Sequence, residues 1–405
     1  MIKTIKAPHI LLPRKEVDMS KYAVIACDQY TSNLEYWDTL KDDIGDSVST
    51  FNMIYPEAYL ETTDNDEYIS GINKKIAHYL NNGDLVDNGE CFVLVERVTS
   101  YGVRRLGLVL SIDLEDYSYE KGTKAYIRAS EATIVERIPP RLKIRKDSPI
   151  ELPHVLVLFD DPKKAIVESL YAQRDKLEKI YDFELNKDGG HIRGYKVKDV
   201  NKVISQFDHL FNENNNGLLF IVGDGNHSLA TAKAHWDIAK KDLSESEKAT
   251  HPARFALVEA NNLYDEGIIF EPIHRVMFNV DKEFEKELMK ACSGEYKSFV
   301  YSKEKGKKEL RLPKNAPMAY YQVQSFLDEY LSNHKESKID FIHDEDELIA
   351  VADKNPGSIA IAMPALTKAD LFDYLATGKV LPRKSFSMGH ANEKRYYLEA
   401  KKITL

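Results

Sequence analysis

Apolar residues along the chain follow two spacings. Short unbroken runs, Tyr22 to Ala26 in "KYAVIACDQYT" and Leu218 to Val222 in "LLFIVGDGNHSLATA", have the length of buried strands. The segments "NLEYWDTLKDDIG" and "DNDEYISGINKKIAHYLNNGDL" instead place apolar side chains at helical spacing, with Gly45 and Asn82-Gly83 as stops. Two β-branched runs around a glycine-containing turn in "CFVLVERVTSYGVRRLGLVLSIDLEDY" predict a hairpin. Residues 1–150 are therefore expected to form an N-terminal part in which strands lie beside one another as well as alternating with helices.

Further on, "SPIELPHVLVLFDDPKKAIVESLYAQRDKLEKIYDFEL" predicts a strand, an Asp-Asp-Pro turn and a long amphipathic helix. A turn, a strand and a helix follow in "NKDGGHIRGYKVKDVNKVISQFDHLFNENNNG", and then the Gly-Asp-Gly-Asn-His-Ser strand-turn-helix. These make a central part over residues 151–280. Between 281 and 355 the chain becomes more charged, and a smaller α/β unit is expected there. Residues 356–405 hold a turn and a closing strand that return to the core. The predicted class is α+β, mixed sheets with packed helices.

Composition narrows the partners. With 405 residues the chain is long enough for more than one packed unit. Its 43% hydrophobic and 30% charged residues are those of a globular protein, and its net charge of −9 argues against wrapping a nucleic-acid backbone. Small molecules are the expected partners. Cys27, Cys91 and Cys292 are far apart and lack metal-ligand spacing, which points to a reducing, cytoplasmic setting. No stretch approaches the ~20 apolar residues of a membrane-spanning helix, so no membrane partner is expected. Oligomeric state is not legible. No Walker-type, protein-kinase, Gly-x-Ser-x-Gly or His-Glu-x-x-His pattern is present.

The Gly-Asp-Gly turn carries the candidate chemistry. Gly223 and Gly225 can take backbone angles that other residues avoid and can let a ligand come close. A helix starting near Asn226 or His227 puts unpaired N–H groups and the positive end of its dipole at the same spot, a ready anion site. Asp224 then either holds Mg²⁺ against a phosphate, acts as a base, or simply caps the helix. His227 can donate to a phosphate oxygen or exchange a proton near neutral pH. Ser228 and Thr231 offer hydroxyls on the first turn.

This "VGDGNHSLATA" stretch resembles the strand–Asp-Gly-His-His-Arg–helix signature of the family called domain of unknown function 1015. The signature is itself similar to one in the ParB/sulfiredoxin superfamily, which includes free-serine kinases. Weaker matches are "ACDQYTSNLEYW", "IRASEAT" with "RLKIR", "FEPIHRVM" and "LPRKS". The chain departs from the fuller signature where Asn226 replaces His and Ser228 replaces Arg, which removes a bidentate phosphate ligand. The resemblance implies a ParB/sulfiredoxin-like core element and a site at Asp224, Gly225 and His227.

Other polar residues are candidates for the same site. Asp28 and Gln29 follow a predicted strand, where ligands are commonly met. Arg128 and Glu131, three apart, either pair on a helix face or bring Arg128 to the phosphate in place of the missing arginine. Arg141, Lys143 and Arg145 would share one face if "RLKIR" were a strand. His274 and Arg275 lie between apolar segments, and a buried arginine calls for an anion. Lys384, beside Ser385, can bring a cation from the tail, and Glu259 and Asn261 can face the same cleft. The reading these residues suggest is a phosphoryl-handling enzyme, a phosphotransferase or phosphohydrolase, acting on a phosphorylated small metabolite. The family resemblance directs attention to serine or phosphoserine, with Mg²⁺ and a nucleotide as cofactors. The alternative is a ParB-type nucleotide- or DNA-binding protein without metabolic catalysis.

Overall fold

Apolar runs too short for helices pair into one mixed sheet of ten strands. The structure, a computed structural model, describes residues 3–27, 29–30, 33–60, 65–214 and 216–405. They fall into two units, the larger from 1–129, 133–268 and 390–405, the smaller from 130–132 and 269–389.

In the larger unit the sheet strands are β1 (Ile5–Lys6), β2 (Phe92–Val98), β3 (Arg104–Asp113), β4 (Tyr117–Ser118), β5 (Ile127–Ala129), β6 (Leu156–Phe159), β7 (Glu178–Leu185), β8 (Gly190–Val197), β9 (Phe220–Asp224) and β10 (Phe255–Asn262). Their order is β7-β8-β2-β3-β10-β6-β9-β5-β4, with β1 on β3. Most neighbours are antiparallel, but β6 runs parallel to β10, and β5 runs parallel to both β9 and β4. The expected hairpin is β2–β3, with Val93 opposite Val109.

Both faces of this sheet are covered. Along β2, Phe92 and Leu94 enter one apolar cluster while Val93 and Val95 enter the other, as the two-residue period of a strand requires. Helix α1 (Leu34–Ile44) buries Trp37, Leu40 and Ile44, and α2 (Asn65–Asn81) buries Ile69, Ile72, Ile76 and Tyr79 in the second cluster. The first cluster receives Val203, Phe207 and Leu210 of α4 (Val200–Asn214) and Leu229, Ala232 and Trp236 of α5 (Asn226–Ala239). The end of the chain also belongs here. Tyr396–Tyr397 pairs with Val24–Ile25, and Lys401–Lys402 with Ile150–Glu151.

Two local expectations are corrected. The long helix after the Asp-Asp-Pro turn shrinks to Val167–Ala172, and Glu178–Leu185 extends as β7 against β8. The reason is visible in "EKIYDFEL", which buries Tyr181 and Leu185, and in Lys187 and Asp188, whose positive φ turns the chain back. The "RLKIR" stretch is no strand but the end of α3 (Ile138–Arg145), which Pro139 and Pro140 start at the first turn.

The smaller unit has a five-stranded sheet of β11 (His274–Phe278), β12 (Tyr296–Ser302), β13 (Gly306–Leu312), β14 (Lys338–Ile342) and β15 (Ile359–Ile361), in the order β13-β12-β15-β11-β14. Among its helices are α6 (Phe284–Ala291), α7 (Ala316–Asn333) and α8 (Glu345–Lys354). No described helix of either unit is long and apolar enough to cross a membrane.

Candidate functional site

Strand β9 ends at Asp224 and α5 begins at Asn226, so Gly225 alone makes the reversal. It is left-handed, φ 82° and ψ 28°, a conformation that costs other L-residues about 1–2 kcal/mol. A Cβ here would lie 3.0 Å from Val155 Cγ2. The left-handed turn, the backbone freedom expected of Gly225, and the packing on Val155 both call for glycine here. Gly223 sits half-buried inside β9.

Asp224 does not cap α5. The N-cap is Gly225, and it makes no side-chain cap bond. Asp224 Oδ1 accepts the Gly225 N–H at 2.9 Å, and Oδ2 lies 3.2 Å from Lys394 Nζ. Burial disfavours charge on Asp224, but the Lys394 ammonium and His154 outweigh it and hold the carboxyl below its ordinary range. The side chain keeps 23% of its surface exposed, so the bend is not sealed.

Asn226, His227 and Ser228 form the first turn of α5, where N–H groups have no acceptor within the helix and the dipole is positive. His227 Nε2 accepts the Ile134 N–H at 3.2 Å, which places the ring proton on Nδ1. Thr231 Oγ1 donates back to the His227 carbonyl at 2.7 Å, so its proton serves the helix rather than a ligand. Ser228 Oγ lies 3.3 Å from His154 Nε2.

The cation beside the turn comes from the end of the chain. Arg97 on β2 donates to the carbonyls of Asn392, Glu393 and Lys394 at 2.7, 3.0 and 2.6 Å. Burial, with Arg105 next to it, pushes the Arg97 guanidinium down to about 9. Arg395 reaches Glu259 at 2.8 Å and Glu399 at 2.6 Å, and Tyr181 donates to Glu399 at 2.5 Å. Glu259 and Asn261, expected near the cleft, are consumed in this buried network, where Asn261 also donates to the Leu106 carbonyl. The backbone around Lys394 is thereby fixed from both sides.

Other candidates go elsewhere. Arg128 is buried on β5 and donates to the carbonyls of Ala125 and Gly217, at the opposite end of β9 from Asp224. That corrects both the helix pair with Glu131 and the phosphate contact. Glu131 lies in the smaller unit, where it accepts the N–H groups of Lys384 and Ser385 at 3.1 and 3.0 Å. His274 is a core residue of β11 whose Nδ1 accepts the Met363 N–H at 3.0 Å. Arg275 is fully buried and gives its hydrogen bonds to the Ile273 carbonyl, Gln324 and the Arg383 carbonyl; burial pushes it down to about 10. Its partners are oxygens of the protein itself, which answers the expected need for an anion. Gln29 donates its N–H to the Ala26 carbonyl in a turn, and Asp28 lies outside the described residues.

A resident Mg²⁺ does not fit this donor set. One Asp224 oxygen is on an amide and the other on an ammonium, which a divalent ion would have to displace. Among the described residues no group of three His, Cys, Asp or Glu side chains gathers to hold a metal.

Sequence reasoning missed Lys394, His154, Tyr397 and Arg97. The one available signal was the Lys-Arg-Tyr-Tyr run near the end of the chain, "NEKRYYLEA".

Comparison with known proteins adds the following. A conserved hypothetical protein from Pyrococcus furiosus aligns at TM-score 0.35 and 11% identity, over 73% of this chain and 95% of that one. A free serine kinase in complex with AMP aligns at TM-score 0.37 and 9% identity, over 73% and 92%. SbnI from Staphylococcus aureus, with a C-terminal truncation, aligns at TM-score 0.37 and 10% identity, over 69% and 82%. No curated protein matches the chain. The family model described as protein of unknown function, DUF1015, matches residues 11–403, and the chain belongs to that family.

Proposed function

We propose that the Asp224 turn binds the phosphate of a small phosphorylated molecule or nucleotide, and that the protein transfers or hydrolyses that phosphoryl group. The observation that carries this reading is the Lys394 ammonium held 3.2 Å from Asp224 beside the first turn of the 14-residue helix α5. A phosphate at this turn meets the N-terminal dipole and one cation, the combination that favours anions at helix starts. Lys394 exchanges Asp224 for a phosphate oxygen. Asp224, freed of its ammonium, then accepts the proton of the attacking hydroxyl, from an alcohol or from water, as that oxygen bonds to phosphorus and the bond from phosphorus to the leaving oxygen breaks; the leaving group departs as a nucleoside diphosphate or, protonated from solvent, as the dephosphorylated alcohol. Such chemistry is mainly positioning and charge neutralisation. His227 stands on the same first turn, its Nε2 accepting the Ile134 N–H.

The resemblance of this turn to a signature similar to that of free-serine kinases directs the first assay to serine. Purified protein is incubated with phosphoserine, and separately with serine and ATP, each with and without Mg²⁺, while serine, phosphoserine, ADP and inorganic phosphate are followed. The reading expects turnover in one of the two, lost in Lys394→Met. Silence in both, together with silence across a panel of phosphorylated sugars, amino acids and nucleotides, overturns it.

A further inference from the structure

Against the first turns of the same helix lies a cavity of about 180 Å³, partly open to solvent, whose walls are mostly apolar, with Ile54, Ile72, Ile144 and Leu229 among them. Ser228, His154 and Tyr397 lie on its wall. The buried Tyr397 hydroxyl lies 2.9 Å from Cys27 Sγ and 3.1 Å from His154 Nδ1. With the ring proton on Nδ1, His154 Nε2 accepts from Ser228 Oγ at 3.3 Å. His154 is only 6% exposed, and the Tyr397 ring meets its ring edge-on at 5.5 Å. The serine thus faces an imidazole whose ring is oriented by a third group, the arrangement that activates a hydroxyl nucleophile.

We propose that Ser228 is a nucleophile and His154 its general base, and that the cavity takes a small carboxylic ester or thioester with an apolar or aromatic body. Size sets the class, since a cavity of about 150 Å³ accommodates benzene. In the reaction Ser228 Oγ bonds to the carbonyl carbon as its proton passes to His154 Nε2. The tetrahedral intermediate then expels the alcohol or thiol, which takes that proton from His154. Water, deprotonated by the same nitrogen, releases the carboxylic acid and restores Ser228.

The test is covalent labelling with a short-chain alkyl fluorophosphonate, read by intact mass and peptide mapping, alongside hydrolysis of p-nitrophenyl butyrate. Wild-type protein is expected to take one alkylphosphonyl group, on Ser228. Ser228→Ala should take none, and His154→Gln should label and hydrolyse about 100-fold more slowly or worse, the usual scale of general-base loss. Tyr397→Phe, which keeps the ring in the core but frees the His154 ring, should shift the pH profile of labelling. Thermal melts establish that each variant is folded. An unlabelled wild type, a label on another residue, or unchanged rates in His154→Gln overturn the proposal. The phosphate reading is measured through Lys394, so either can fail without the other.

Discussion

Lys394 and Asp224 hold each other in a setting where neither is fully hydrated, and that makes each a sensitive probe of the site. In Lys394→Met a phosphate loses the ammonium that lies beside this turn. Ligand affinity should fall about 10- to 100-fold, the range of one charge-assisted hydrogen bond, by isothermal calorimetry with whichever phosphorylated ligand binds wild type. Asp224→Asn should instead leave binding intact or tighter, because a negative neighbour is removed, while turnover is lost with the base. Gly225→Ala tests the turn itself. Left-handed strain and the approach to Val155 should together cost at least 1–2 kcal/mol in urea unfolding. The residues legible in advance were those contiguous in sequence, since Gly225 and Asp224 declare a strand-to-helix reversal on their own. Lys394 and His154 reach the turn only through tertiary structure, and no local pattern announces a contact of that kind.

At the scale of elements, α5 and the final segment decide whether the site exists. His235, on α5, is half-buried, and desolvation with Arg145 nearby lowers it from 6.5 to about 4. The fold therefore favours the neutral ring. Its contribution to stability is present above pH about 6.5 and is lost as pH falls toward 4. His235→Gln should flatten the decline of unfolding free energy over that window, as read from urea melts at successive pH values. Arg395 ties the last segment to β10 through Glu259. Its truncation in Arg395→Met leaves two buried carboxylates uncompensated and should cost about 3–5 kcal/mol. Gly107 on β3 makes room for this network, as a Cβ there would fall 2.3 Å from Glu259 Oε1. The β2–β3 hairpin was readable because its apolar runs flank a turn. The β7 strand was not, because its mixed charged and apolar residues suit a helix face equally well until β8 is there to pair with it.

For the whole molecule, the smaller unit interrupts the larger one in sequence, so residues 390–405 belong with residues from the first half of the chain. Ending the chain at Gly389 would strip the pairings of Tyr396–Tyr397 and Lys401–Lys402, the Arg395 network and Lys394 together. Such a truncation is expected to lose cooperative unfolding of the larger unit by circular dichroism, not merely its ligand response. Composition and spacing had indicated a mixed α and β protein of more than one unit, because those depend on local pattern. Which segments close onto which sheet depends on pairings between distant strands, and these are not written in any one stretch.

Thermal unfolding of wild type and Lys394→Met, each titrated with phosphoserine, ADP, ATP and inorganic phosphate, brings these scales together. A ligand at about 100 times its dissociation constant stabilises by about 2.7 kcal/mol, a plainly visible rise in Tm. The expected result is a rise in wild type with at least one of these ligands and a much smaller one in Lys394→Met. Equal rises in both proteins, or none in wild type, would contradict a phosphate site at the Asp224 turn.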